Sequence, residues 1–290
     1  MPVRTPRRAF VTVTAVTALL GLTLTGATLA APAPEAAHAA RTAPAVTWSD
    51  DFDGAAGSGV DPAKWGHDVG GSGWGNNELE YYTDGAANTA LDGQGHLVIT
   101  ARKENPNNYQ CWNGTCQYTS GKITTAGKFT QAYGHIEARI KIPRGQGMWP
   151  AFWMLGDDIG SNPWPNCGEL DIMENVGFEP GTVHGSAHGP GYSGGNPLTG
   201  TYTLPNGQAF ADDFHTFAID WAPDSVKWSV DGQVYETRTP ADTNGNKWVF
   251  DHPFFVILNL AVGGNWPGSP NDGTQFPQTM TVDYVHVSAS

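Results

Sequence analysis

Thr279-Met280-Thr281-Val282-Asp283-Tyr284-Val285-His286-Val287 alternates polar and apolar side chains. Neighbouring side chains on a β-strand point to opposite sheet faces, so a period of two predicts a strand with one buried face. The same signature recurs outward along the chain. His96–Arg102 (HLVITAR), Gly134–Ile142 (GHIEARIKI), Trp149–Leu155 and Phe214–Trp221 are short apolar runs between turn residues. Val, Ile, Thr, Tyr, Phe and Trp, the residues that suit a pleated surface, dominate them. Ser225–Tyr235 (SVKWSVDGQVY) reads as a hairpin turning at Asp231-Gly232, because Asp-Gly tolerates the positive φ that a two-residue turn needs. Beyond residue 45 no helical period lasts longer than about three turns. The pattern predicts an all-β fold, a sandwich or jelly roll in which one face of each sheet fills the core.

Composition narrows the function. The 290 residues carry a net charge of −13, only 15% are charged and 11% are aromatic, with 11 Trp. A disordered chain has the opposite balance, and a nucleic-acid binder needs a basic surface. Arg4, Arg7 and Arg8 precede an apolar run from Ala9 to about Leu29, then Ala-Pro sequence ending Ala37-His38-Ala39. This order is that of a secretory signal, with cleavage after Ala39 and Ala30 as the rival site. A transmembrane anchor is the alternative, since about 20 residues suffice to span a bilayer, but no basic stop-transfer run follows. Residues 1–39 are therefore expected to be a removed leader, and 40–290 a single secreted, extracellular domain without membrane attachment. That domain keeps twelve basic against 27 acidic residues, a charge of −15. Of the three cysteines, Cys111 and Cys116 bracket four residues and are expected to pair in an oxidising compartment. Cys167 is then odd and reads as a buried thiol, although its pairing with either of the others stays open. No cysteine–histidine set has zinc spacing.

Gly168-Glu169-Leu170-Asp171-Ile172-Met173-Glu174-Asn175 is the most informative segment. Glu169 and Asp171 share one strand face, with Leu170 and Ile172 on the other. Strict alternation would send Glu174 to the wrong face. Met173 breaks the pattern, and a bulge there would return Glu174 to the acidic side. Three like charges so close are costly, which asks for a use. Glycoside hydrolysis supplies one, because a retaining enzyme needs two carboxyls about 5–5.5 Å apart. Four effective steps separate the two glutamate Cα atoms by roughly 13 Å, a gap that two side chains leaning together would close. Asp171 between them would separate their pKa values. The plainer alternative is a calcium site or a solvated strand face, but calcium prefers ligands wrapped around a loop.

Flat aromatics suit the apolar C–H faces of sugars. Trp149 and Trp153, in Trp-Pro-Ala-Phe-Trp, are placed to share a face, and Trp74 and Trp266 sit in Gly-rich loops. Trp48, Trp221 and Trp228 read as core. His184 and His188, four apart on a strand, also share a face. A third metal ligand is not evident, and His188 reads better as a histidine near the acid/base glutamate. Gly191-Tyr192-Ser193-Gly194-Gly195 matches the serine-hydrolase elbow only by letters, because turn residues rather than a helix follow. Asn113-Gly114-Thr115 is a glycosylation acceptor by pattern alone.

At these residues the chain resembles family 16 glycoside hydrolases, and most closely the bacterial laminarinases, which are endo-β-1,3-glucanases. The matching pieces are GWGNNELEYYT (73–83), YGHIEARIKIPRGQGMWPAFWMLG (133–156), GELDIMENVG (168–177), AHGPGYSGG (187–195), FHTFAIDWAPDSVKWSVDG (214–232), NLAVGGNWPG (259–268) and VDYVHV (282–287). The resemblance implies a concanavalin-like β-jelly-roll sandwich with a concave substrate cleft. It implies Glu169 as nucleophile, Glu174 as acid/base and Asp171 assisting. It places Asn76, Glu78, Arg139, Trp149, Trp153, His188 and Trp266 along the cleft. No cofactor is required for the chemistry, but a structural Ca2+ is implied on the convex side, with Asp51, Asp283 and the Gly95 carbonyl as ligands. Two departures are His135, where such proteins usually carry Arg, and Asp51, where many have Glu. The implied protein is a monomer acting on β-1,3-glucan by double displacement. Its rivals are a β-1,3-1,4-glucanase or another specificity on the same scaffold, a transglycosylase, and a non-catalytic β-glucan-binding module. Sulfated polysaccharides are disfavoured by like charge, and binding modules of this fold lack the two glutamates present here.

Overall fold

The computed structural model describes residues 45–289; the leader expected over 1–39 lies outside them. Two antiparallel sheets carry the fold. In the first, hydrogen-bonded neighbours run Gln233–Arg238, Ser225–Val230, His215–Ala222, Gly134–Lys141, Gln278–Ser288, Leu97–Ala101, Thr89–Leu91, with Val46–Asp50 also on Gln278–Ser288. In the second they run Leu198–Thr203, Thr182–His188, Glu169–Glu174, Met148–Gly156, Phe254–Val262, Lys122–Thr124, Gly66–His67. The two sheets form a jelly-roll sandwich around one continuous apolar core.

Alternation explains the faces. On Gly134–Lys141 the side chains of Ile136, Ala138 and Ile140 are buried, while His135, Glu137, Arg139 and Lys141 face outward. Burying each such aliphatic side chain contributes about 1.5–3 kcal/mol. The strand Gln278–Ser288 departs from the clean alternation expected of it. Arg139 pairs with Tyr284 but Ile140 pairs with Val282, so Asp283 is an extra residue. That bulge moves the buried set from Met280 and Val282 to Val285 and Val287. The hairpin turns where expected, with Asp231 at φ 49° and Gly232 at φ 78°. Trp221 and Trp228 are buried, and Trp48 stacks on Phe129 at the edge of the core.

Trp228 also ties the two sheets together. Its indole Nε1 donates to the Asp171 carbonyl at 2.8 Å, from the first sheet to the back of the acidic strand. Gly185 makes room for this. A Cβ there would lie 2.4 Å from both the Trp228 ring and the Tyr235 hydroxyl. On the open face of the second sheet, Leu155, Cys167, Phe255 and Ile257 form a smaller buried cluster. Cys167 is there a free, buried thiol, while Cys111 and Cys116 form a disulfide. No helix among the described residues is long and apolar enough to cross a membrane.

Candidate active site

The acidic strand lies between Met148–Gly156 and Thr182–His188. Against the first neighbour, Asp171 pairs with Trp153 and Met173 with Phe152, leaving Ile172 without a partner. Against the second, Asp171 pairs with Ser186 and Glu174 with His184. One extra residue is therefore held in a bulge. Ile172 and Met173, adjacent in sequence, both pack into the same apolar core, which an unbroken pleat, sending neighbours to opposite faces, does not allow. The consequence is that Glu169, Asp171 and Glu174 share the open face. His188 stands opposite Glu169 and His184 opposite Glu174. Cross-strand pairing thus sets His188 beside the first glutamate and His184 beside Glu174, while the His188 charge still reaches Glu174.

Each glutamate accepts a hydrogen bond from an indole. Trp149 Nε1 donates to Glu174 Oε1 at 3.0 Å, and Trp164 Nε1 donates to Glu169 Oε2 at 2.9 Å. His188 Nε2 lies 3.0 Å from Asp171 Oδ2 and 3.8 Å from Glu169 Oε1. The shorter contact is within ion-pair range but off the line of a hydrogen bond, and Asp171 Oδ2 has no hydrogen-bond partner. Burial, and then the Asp171 charge, pushes Glu174 well above the usual carboxylate range. The same two causes, in the same order, push Glu169 up to about 8, with His188 and the Trp164 N–H pulling it back. Burial raises Asp171 to about 7, and a proton shared with Glu169 lowers it. All three carboxyls are thus shifted upward, with burial as the first cause in each.

A polar relay starts at Trp153, the cross-strand partner of Asp171, and runs across the sheet. Trp149 and Trp153 share the open face, half-buried. Trp153 Nε1 donates to Asn259 Oδ1 (2.8 Å), Asn259 Nδ2 to Tyr82 Oη (3.1 Å), and Tyr82 Oη to Glu78 Oε2 (3.0 Å). Asn76 Nδ2 completes it at Glu78 Oε1, 3.1 Å away. Lys122, almost fully buried, places its ammonium 4.2 Å from the Trp74 ring centre and 5.2 Å from that of Trp153, and pairs with Asp68 at 3.3 Å. Such cation–π contacts hold flat rings in place. Trp266 stands edge-on to Trp149 at 5.6 Å and to His184 at 4.8 Å.

The structure therefore brings Asn76, Glu78, Trp149, Trp153, His188 and Trp266 together with the acids. Arg139 is corrected. It lies on the outward face of the other sheet, where its guanidinium binds Asp283 at 2.5 Å and covers Phe214 at 4.7 Å. The basic group beside the cleft aromatics is Lys122. Sequence reasoning also passed over Trp164 and Asn259. The signal for Trp164 was an aromatic between Pro163 and Pro165, five residues before Glu169; for Asn259 it was a lone amide within Phe-Phe-Val-Ile-Leu-Asn-Leu-Ala-Val.

The residues expected to hold calcium do not form an oxygen cage. The Asp51 carboxylate is 2.7 Å from His286 Nε2, and that of Asp283 is on Arg139 and 3.9 Å from His96. Gly95 does lie near Asp51, with a Cβ built on it 3.8 Å from the Asp51 carbonyl oxygen. Carboxylates already turned toward Arg139 and His286 do not suit a hard cation that takes six to eight oxygens. His135 does keep charge contacts where Arg was expected. It bridges Glu137 (3.2 Å) and Asp220 (2.8 Å). Among the described residues, the one cluster with metal-ligand spacing is Glu169, Asp171 and His188, whose ligand atoms lie within 4.8 Å of one another.

Comparison with known proteins bears on the same residues. The sequence model of the glycosyl hydrolases family 16 matches residues 74–286. A β-glucanase of Rhodothermus marinus is 43% identical over 253 residues, covering 83% of this chain and 84% of that protein. The laminarinase catalytic domain of Thermotoga maritima superposes with a TM-score of 0.79 at 49% identity, over 85% of this chain and 98% of that one. The endo-β-1,3-glucanase of Pyrococcus furiosus gives 0.78 at 50% identity, over 84% and 94%.

Proposed function

The chain belongs to the glycosyl hydrolases family 16 and is a glycoside hydrolase of the endo-1,3-β-glucanase kind, and we propose that it cleaves laminarin-type β-glucans with retention of anomeric configuration. The observation that carries this reading is the bulge at Ile172–Met173, which turns Glu169 and Glu174 to one face with Asp171 between them.

The roles follow from the environments. Glu174, held protonated by burial and by the Asp171 charge, donates its proton to the glycosidic oxygen as that bond breaks. Glu169 attacks the anomeric carbon and forms the glycosyl-enzyme. Its ionised form is favoured by the Trp164 N–H and by His188. In the second half, Glu174 takes a proton from water, and water displaces Glu169 from the sugar. The sugar rings lie along Trp149, Trp153, Trp74 and Trp266, with the relay from Asn259 to Asn76 fixing their hydroxyls. The site is complete within one chain, which supports action as a monomer, and no cofactor enters the chemistry.

Export of residues 40–290 is part of the proposal. It is supported by the basic–apolar–small order of residues 1–39 and by the Cys111–Cys116 disulfide.

Proton NMR of the first products from laminari-oligosaccharides tests the mechanism. The β-anomer should appear first, and Glu169→Gln and Glu174→Gln should each lose turnover with the fold intact. An α-anomer appearing first, or wild-type-like hydrolysis by either variant, removes the assignment.

A further inference from the structure

Three tryptophans stand exposed among the described residues: Trp112, Trp164 and Trp266. Two have partners in the cleft, Trp164 at Glu169 and Trp266 against Trp149 and His184. Trp112 is the most exposed, at 50%, and nothing in the chemistry above uses it. An exposed aromatic held rigid by hydrogen bonds offers a preformed flat apolar face.

Trp112 is held rigid. The strands Gln110–Cys111 and Gly114–Thr115 form a two-stranded ribbon, with Trp112 at its turn and the Cys111–Cys116 disulfide across its base. The Trp112 backbone N–H donates to the Gly71 carbonyl at 2.8 Å. Its indole Nε1 donates to the Glu78 carbonyl at 2.7 Å. The ring lies against Gly73, where a Cβ would come within 2.7 Å of Cδ1. Cys111 Sγ packs on Gly71 in the same way, and Tyr109 stacks on Tyr81 at 4.0 Å. Every one of these contacts falls on residues 71–81, the segment that presents Trp74, Asn76 and Glu78 to the cleft. The indole therefore has its one donor satisfied, part of its surface covered by backbone, and half of it open. Its ring rests on Gly73, the residue next to Trp74.

We infer that Trp112 is a distal sugar-binding platform, on which a glucosyl ring stacks when the glucan chain runs past the end of the cleft. The inference rests on the glucanase reading and adds to it a preference for long chains. The chemistry is that of an apolar pyranose C–H face meeting a flat indole. Because the ribbon fixes the ring beforehand, little side-chain freedom is lost on contact. The disulfide thus serves the cleft rather than the core, because it fastens the ribbon that carries the platform.

The test compares laminarin with the short chain laminaritetraose, which on this reading does not reach the platform. Trp112→Ala should raise KM for laminarin by roughly five- to tenfold, the range of about 1–1.4 kcal/mol, with kcat within about twofold of wild type. Its effect on laminaritetraose should be several times smaller. Trp112→Phe keeps a ring but loses the bond to Glu78, and should retain most of the affinity for laminarin. An equal loss on both substrates, or Phe failing as badly as Ala, would make Trp112 a structural clamp and overturn the inference. Wild type that cleaves neither substrate would instead strike the glucanase reading. The platform would then stand or fall on calorimetric binding of laminarin, which Trp112→Ala must weaken.

Discussion

Replacing Trp164 by Phe should move the acid limb of the pH–rate profile upward. The indole N–H donates to Glu169 Oε2 at 2.9 Å and favours the ionised nucleophile. Hydrogen bonds to charged groups are worth about 1.5–3 kcal/mol, and Trp164 is 43% exposed, so solvent screening sets the value near the lower end, about 1.4 kcal/mol. One pKa unit corresponds to about 1.36 kcal/mol. Losing the bond therefore raises the Glu169 pKa by about one unit beyond the value of about 8 to which burial and Asp171 already push it. Below the limb, kcat/KM tracks the ionised fraction and should fall about tenfold; above it, the two enzymes should converge. Because the three acids titrate together, the limb reports the cluster rather than one residue, but its direction of travel is fixed. The assay is reducing-end release from laminarin across pH, with melting temperature as the control for folding. A limb that stays put or moves to lower pH, with the fold intact, refutes the reasoning.

Trp149→Phe should act on the opposite limb. Its N–H favours ionised Glu174, so removing it raises the acid's pKa, carries the alkaline limb to higher pH and lowers kcat several-fold; an unmoved alkaline limb counts against Glu174 as the acid. On the outer sheet, the hydrogen bond that His135 donates to Glu137, together with Asp220, raises His135 to about 9. Its stabilisation is present in full below the unfolded value of about 6.5 and is lost as pH rises through about 9. The melting temperature gap between wild type and His135→Asn should therefore be widest near neutrality or below and close at alkaline pH; parallel curves would dismiss the pairing.

Much of the fold was legible because period two reports burial locally. The outward set on Gly134–Lys141, the turn at Asp231-Gly232 and the shared face of Trp149 and Trp153 all follow from counting. Counting also carried Glu174 back to the acidic face, once Met173 was taken to break the ladder. Arg139 shows where counting stops. Alternation told which face it occupied but not which sheet, because sheet membership depends on pairing with strands far away in sequence. Lys122 was hidden differently. Its strand has three residues, all buried, too few for any period to show. Trp164 lies on no strand, and its partner is fixed only once the chain closes over the open face. The clean alternation of 279–287 concealed its own exception, since Val282 and Val285 differ by an odd number and need the bulge at Asp283.

The bulge at Ile172 sets the two glutamates by ladder position rather than by a hinge or a mobile loop. An odd spacing behaves as an even one only while the hydrogen bonds on both sides of that strand stay closed. Warming should therefore leave the catalytic pair in register until the sheet itself melts, so loss of turnover and global unfolding should fall at the same temperature.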